Sequence, residues 1–136
     1  MQPYLRYFKS ETSKIKIASF ADFDVQTLLK ESDLLITDYS SVFFDFAYMR
    51  KPTIYYQFDE AEFYSGHYQQ GYFSYREMGF GEVVTSHNDL VDSILSYLEN
   101  DCHMKVEYAQ RINGFFPLHD RENCKRIFAE IQKIGK

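Results

Sequence analysis

A chain of 136 residues holds one domain at most, and 45% hydrophobic residues can supply a core of its own. Its net charge of -5 weighs against a general nucleic-acid binder, because phosphate backbones are held on net positive surfaces. The only cysteines, Cys102 and Cys124, form no CxxC pair and indicate neither a zinc site nor a disulfide scaffold, and no stretch approaches a membrane span.

Residues 3–9 read as a helix opening on a Pro-containing first turn, with Tyr4, Leu5 and Phe8 as its apolar face. A helix without a strand before it suggests a piece of something larger, since helices normally follow strands in α/β domains. Residues 15–18 alternate well enough for a short strand, and Asp22 or Asp24 caps a helix over residues 25–30, with Val25, Leu28 and Leu29 inward. Leu34-Leu35-Ile36 is apolar on both faces, which predicts a strand covered on both sides. Residues 42–49 form a helix that is apolar nearly all round and should therefore be buried.

Between that strand and that helix lies Thr37-Asp38-Tyr39-Ser40-Ser41, where Asp38 or Ser40 is placed to cap the helix. A helix opening at the carboxyl end of a parallel strand presents backbone N–H groups and its positive dipole end to one crevice, an anion site. The same residues also serve as a plain cap on a core helix, worth about 1 kcal/mol. Asp45 is the only ionisable side chain between Ser41 and Met49, and a carboxylate in a buried helix needs a partner. One turn from Ser41, it is placed to order that hydroxyl or to meet a ligand hydroxyl.

Arg50-Lys51-Pro52 ends the helix, the basic pair complementing its negative end. Residues 53–56 give the next strand. Strand candidates at 15, 34 and 53 with helices between them predict a parallel sheet, with its crevice where Thr37-Asp38 and Gln57-Phe58-Asp59 emerge. Residues 59–81 read as a long aromatic loop, whose rings either pack over the sheet edge or stack on a nucleobase while His67 or Arg76 meets a diphosphate. Residues 82–84 form a last strand, and Ser86 with Asp89 approaches a capping box. Three helices follow, over residues 88–99 with Leu90, Ile94, Leu95 and Leu98 inward, 104–113 ending at Gly114, and 120–134 with Cys124, Ile127, Phe128, Ile131 and Ile134 inward. The basic residues after Asp101 make either a solvated helix face or a contact to an anionic lipid surface.

The string LLITDYSSVFFDFAYMRKPTIYYQFD, residues 34–59, resembles the C-terminal part of the CDP-glycerol glycerophosphotransferase family, the teichoic-acid polymerases and primases of bacterial envelopes. The resemblance runs from about residue 25 to the C-terminus. It implies a Rossmann-like α/β domain, a parallel sheet with helices on both faces that ends in α-helices, equivalent to the C-terminal half of a glycosyltransferase-B fold. Residues 1–136 would then be a single, partial domain holding a nucleotide-linked donor. The donor's phosphates, glycerol and ribose fall to Thr37, Asp38, Tyr39, Ser40, Ser41, Asp45, His67 and Arg76. The implied partners are CDP-glycerol or a related CDP-polyol, a lipid-linked polymer acceptor and a missing N-terminal acceptor domain, with no cofactor and no nucleic acid. The resemblance also implies a cytoplasmic place, with peripheral contact on the inner face of the cell membrane. His67, His87, His103 and His119 match no catalytic motif, and the general base belongs to the other domain. Two rivals share these features: a glycosyltransferase-B domain using a nucleotide sugar, and a non-catalytic interaction module on the same half-fold.

Overall fold

The computed structural model describes residues 14–19, 23–66 and 71–134. The expected helix over residues 3–9 lies outside them. Strands β1 (Leu35–Thr37), β2 (Thr53–Tyr56) and β3 (Gly81–Val84) form a parallel sheet in the order β1-β2-β3. Leu35 pairs with Thr53 and Thr53 with Gly81, so the three strands end close together at their carboxyl edge. Gly81 is required by this pairing, because a Cβ there would stand 1.6 Å from the Thr53 carbonyl oxygen.

Helices α1 (Val25–Glu31) and α2 (Val42–Tyr48) flank β1 in the chain, and α3 (Glu60–Gly66) and α4 (Tyr75–Met78) occupy the crossover from β2 to β3. Helices α5 (His87–Glu99), α6 (Val106–Phe115) and α7 (Asn123–Ile134) complete the chain. Alternation along β2 divides the core in two. Tyr55 packs with Phe43 and Ala47 of α2, Phe80 and Ile112 of α6, whereas Ile54 packs with Val84 and with Tyr97, Leu90 and Ile94 of α5. Helices therefore cover both faces, as the fold class requires.

Several expectations change in detail. Residues 15–18 pair with none of the described strands, and Ile15 and Ile17 face water, since two alternating apolar residues give too little surface to bury. Ile36 is 44% exposed, so β1 is covered on one side only at its centre. Asp24 caps α1 by accepting the Thr27 N–H at 2.8 Å, yet α1 buries no residue completely and Val25 is exposed. Lys51 serves α1 rather than its own helix: its ammonium donates to the carbonyls of Leu29, Lys30 and Ser32 at 3.2, 2.5 and 2.6 Å. Part of the stretch after Asp59 is helical, because α3 and α4 organise segments of what reads as an aperiodic loop.

Ser86 caps α5 as expected, accepting the Asp89 N–H on its Oγ at 3.1 Å, and the near-capping box is closed by the Ser86 hydroxyl donating to Asp89 Oδ2 at 2.6 Å rather than by a bond to the Ser86 N–H. In α5 the inward stripe is Leu90, Ile94 and Tyr97, leaving Leu95 and Leu98 outside. No residue of α7 is buried, and Ile127, Phe128, Ile131 and Ile134 all face solvent.

Candidate functional site

A cavity of about 560 Å³ opens at the carboxyl ends of β1 and β2, within the size range of small-molecule sites. The β1–α2 turn supplies Asp38, Tyr39 and Ser41, α2 supplies Phe43 and Phe44, and the chain leaving β2 supplies Asp59. Phe63 and Tyr64 come from α3, and Tyr72, Phe73 and Tyr75 close the far side.

The turn is held by its neighbours rather than by itself alone. Buried Gln57 donates its amide to the Asp38 carbonyl at 3.5 Å, and the Tyr75 hydroxyl donates to the Tyr39 carbonyl at 3.1 Å. The Tyr39 ring lies face to face on Phe63, with centroids 3.7 Å apart and planes 6° off parallel, while its hydroxyl donates to Asp59 Oδ1 at 3.3 Å. Burial, and then the Asp59 carboxylate, hold the Tyr39 phenol far above its ordinary range, so it stays a protonated donor into alkaline pH. Burial also raises the phenols of Tyr64 and Tyr75.

The two serines take different parts. Ser40 Oγ accepts the Val42 N–H at 3.4 Å and the Ser40 N–H donates to Asp38 Oδ1 at 3.2 Å, so Ser40 and Asp38 organise the helix start. Ser41 makes no capping hydrogen bond from its side chain and lines the cavity. Thr37 ends β1 and joins Asp38, Ile36, Tyr56 and Phe58 in a shallower depression beside the main cavity.

Asp45 is exposed and does not line the cavity, which corrects the expectation of a buried carboxylate: α2 turns Phe43, Phe46 and Ala47 inward and leaves position 45 in water. Arg76 also stands outside, ion-paired with Glu60 at 3.0 Å. His67 lies outside the described residues. The structure thus brings Asp38, Tyr39 and Ser41 together and adds Asp59, which the sequence placed at the crevice edge without giving it a ligand contact, and Tyr64 and Tyr75 from the aromatic stretch after it. The available signal for Asp59 was its position just beyond β2, beside Asp38 just beyond β1. Among the described residues no group of three or more His, Cys, Asp or Glu side chains is arranged to hold a metal ion. None of the described helices is long and apolar enough to cross a membrane.

Comparison with known proteins agrees with this architecture. The chain is 42% identical over 117 residues to the minor teichoic acid biosynthesis protein GgaB of Bacillus subtilis, a match covering 85% of this chain and 13% of GgaB. It is 35% identical over 112 residues to a teichoic acid glycerol-phosphate transferase of Staphylococcus aureus, covering 81% of this chain and 28% of that protein. The fold superposes on the structure of the wall teichoic acid polymerase TagF with a TM-score of 0.58 and 26% identity, over 82% of this chain and 26% of the TagF chain. The chain therefore spans between about an eighth and a little over a quarter of the length of these relatives. Residues 4–133, nearly the whole sequence, match one family description, and with the parallel sheet and its cavity they establish that the chain belongs to the CDP-glycerol:poly(glycerophosphate) glycerophosphotransferase family.

Proposed function

We propose that this chain is the donor-holding part of a transferase that moves glycerol phosphate or ribitol phosphate from a CDP-linked donor to a hydroxyl of a teichoic-acid-like polymer. The observation that carries this reading is the cavity at the carboxyl ends of adjacent parallel strands, the place where open α/β sheets bind their ligands. Residues 1–136 act as one partial domain, completed by an acceptor-binding part that supplies the general base. The lipid-linked acceptor would bring the assembled enzyme to the inner face of the cell membrane, from the cytoplasmic side.

In the reaction, the acceptor oxygen attacks the phosphorus carrying the polyol, a new P–O bond forms, and the bond to the CMP oxygen breaks. The acceptor proton passes to the base and CMP leaves with the electron pair. Positioning and charge stabilisation dominate such transfers. Ser41 offers a hydroxyl to the diphosphate at the cavity rim, and Thr37, Asp38, Tyr39 and Ser40 shape the turn beneath it. His67 and, from α4, Arg76 meet the diphosphate. Arg76 does so by leaving its ion pair with Glu60, whose partners are about half and two-fifths exposed, a kind of pair worth about 0–1 kcal/mol.

Calorimetric titration of the 136-residue chain with CDP-glycerol, CMP and UDP-glucose tests the assignment. Saturable binding that favours the two cytidine ligands over UDP-glucose is expected. Preference for the uridine nucleotide, or no binding by a folded sample, would overturn the assignment of the donor site to this chain.

A further inference from the structure

The cavity's charge does not suit the part of the donor that carries most of the negative charge. Its described lining contains two carboxylates, Asp38 and Asp59, and neither lysine nor arginine. A diphosphate lodged among them would face like charges with no compensating cation among the described lining residues, an arrangement that costs free energy at close range. An uncharged, hydroxyl-bearing group would meet the opposite situation. Ionised carboxylates are acceptors only, hydrogen bonds to them are stronger than those between neutral groups, and aromatic walls accept the C–H faces of a polyol.

Asp59 has the acceptor capacity for this. Among the described residues its carboxylate takes one hydrogen bond, on Oδ1 from the Tyr39 hydroxyl, and a carboxylate has about four lone-pair sites. Tyr39 is fixed in turn by its stack on Phe63 and by the Tyr75 hydroxyl on its carbonyl, so the carboxylate is held by a rigid aromatic frame. Asp38 stands on the adjacent strand end, with one oxygen engaged by the Ser40 N–H.

We infer that the cavity receives the uncharged polyol end of the donor, that Asp59 accepts hydrogen bonds from its hydroxyls and sets specificity for a polyol, and that the diphosphate stays at the rim by Ser41. This rests on the donor reading above and goes further, by assigning the two ends of the ligand to different parts of the site.

Asp59→Asn tests it, because the amide keeps an oxygen for Tyr39 while removing the charge. The variant and the native chain are titrated calorimetrically with CDP-glycerol and with CDP, which lacks the polyol, and thermal unfolding is recorded for both proteins. The expected result is a loss of about tenfold in affinity for CDP-glycerol, with affinity for CDP unchanged within about twofold or increased as repulsion is relieved. Equal losses for both ligands would make Asp59 a support of the turn, and no loss for CDP-glycerol would remove it from recognition; either result overturns the inference while leaving the donor site in place. Failure of the native chain to bind both ligands would instead overturn the donor reading itself, and this inference with it.

Discussion

Ser40 and Ser41 are neighbours of one type, and the structure separates their work. Ser40 accepts the Val42 N–H, so Ser40→Ala should lower stability by about 0.5–1 kcal/mol, the lower part of the usual cap range, with little change in nucleotide affinity. Ser41 bears no cap bond and lines the cavity, so Ser41→Ala should leave the unfolding midpoint unchanged and weaken CDP-glycerol binding about fivefold. Urea unfolding and calorimetric titration of the two variants check both statements, and reversed behaviour would return Ser41 to a structural role. The sequence shows that a polar turn precedes an apolar helix, but which hydroxyl turns inward depends on backbone dihedrals that no spacing encodes. Asp45 illustrates the same limit. Its helix is mostly apolar, yet a helix needs only one stripe buried, and position 45 falls on the opposite side from Phe43 and Ala47.

Among the elements, β2, β3 and α2 were legible because each is short and bounded by turn residues, and the family's motif over residues 34–59 fixes the order of α2 and β2. The short helices of the crossover were not. Their rings serve the cavity and the core around Phe43 rather than a periodic stripe, so α3 and α4 carry little amphipathic signal. In α7 the stripe is plain in the sequence, but periodicity says that a face is apolar and not what covers it. Lys51 was read as the end of α2, and the structure gives it to α1, a pairing of chain segments about twenty residues apart. Lys51→Met keeps the stem and removes the ammonium, leaving three carbonyls at the end of α1 to solvent. It should cost about 1 kcal/mol. Hydrogen exchange should speed up at Leu28–Ser32 while the amides of β2 stay protected; uniform loss of protection would show that Lys51 holds the whole sheet instead.

For the molecule as a whole, buried tyrosines set an alkaline limit. Burial pushes the phenols of Tyr55, Tyr97 and Tyr108 above their ordinary value of 10.0, Tyr108 to about 12. A folded-state pKa raised in this way means that the native chain keeps protons that the unfolded chain has lost. Their contribution to stability is therefore complete below about pH 10 and declines as pH rises from there toward about 12. Urea midpoints measured from about pH 8 to about pH 11 should fall in the upper part of that range, and Tyr108→Phe should flatten the decline. A flat profile in the native chain would show that these phenols ionise alike in both states. The aromatic frame also gives the chain an optical property. Among the described residues Tyr39, Tyr64, Tyr72 and Tyr75 line the cavity, and the chain has no tryptophan to mask them. Ultraviolet emission from this protein is tyrosine emission, and the ring whose phenol sits against Asp59 is also part of the cavity wall. An occupant that disturbs that pair thus reports its own arrival as a change in intrinsic fluorescence, without any label attached.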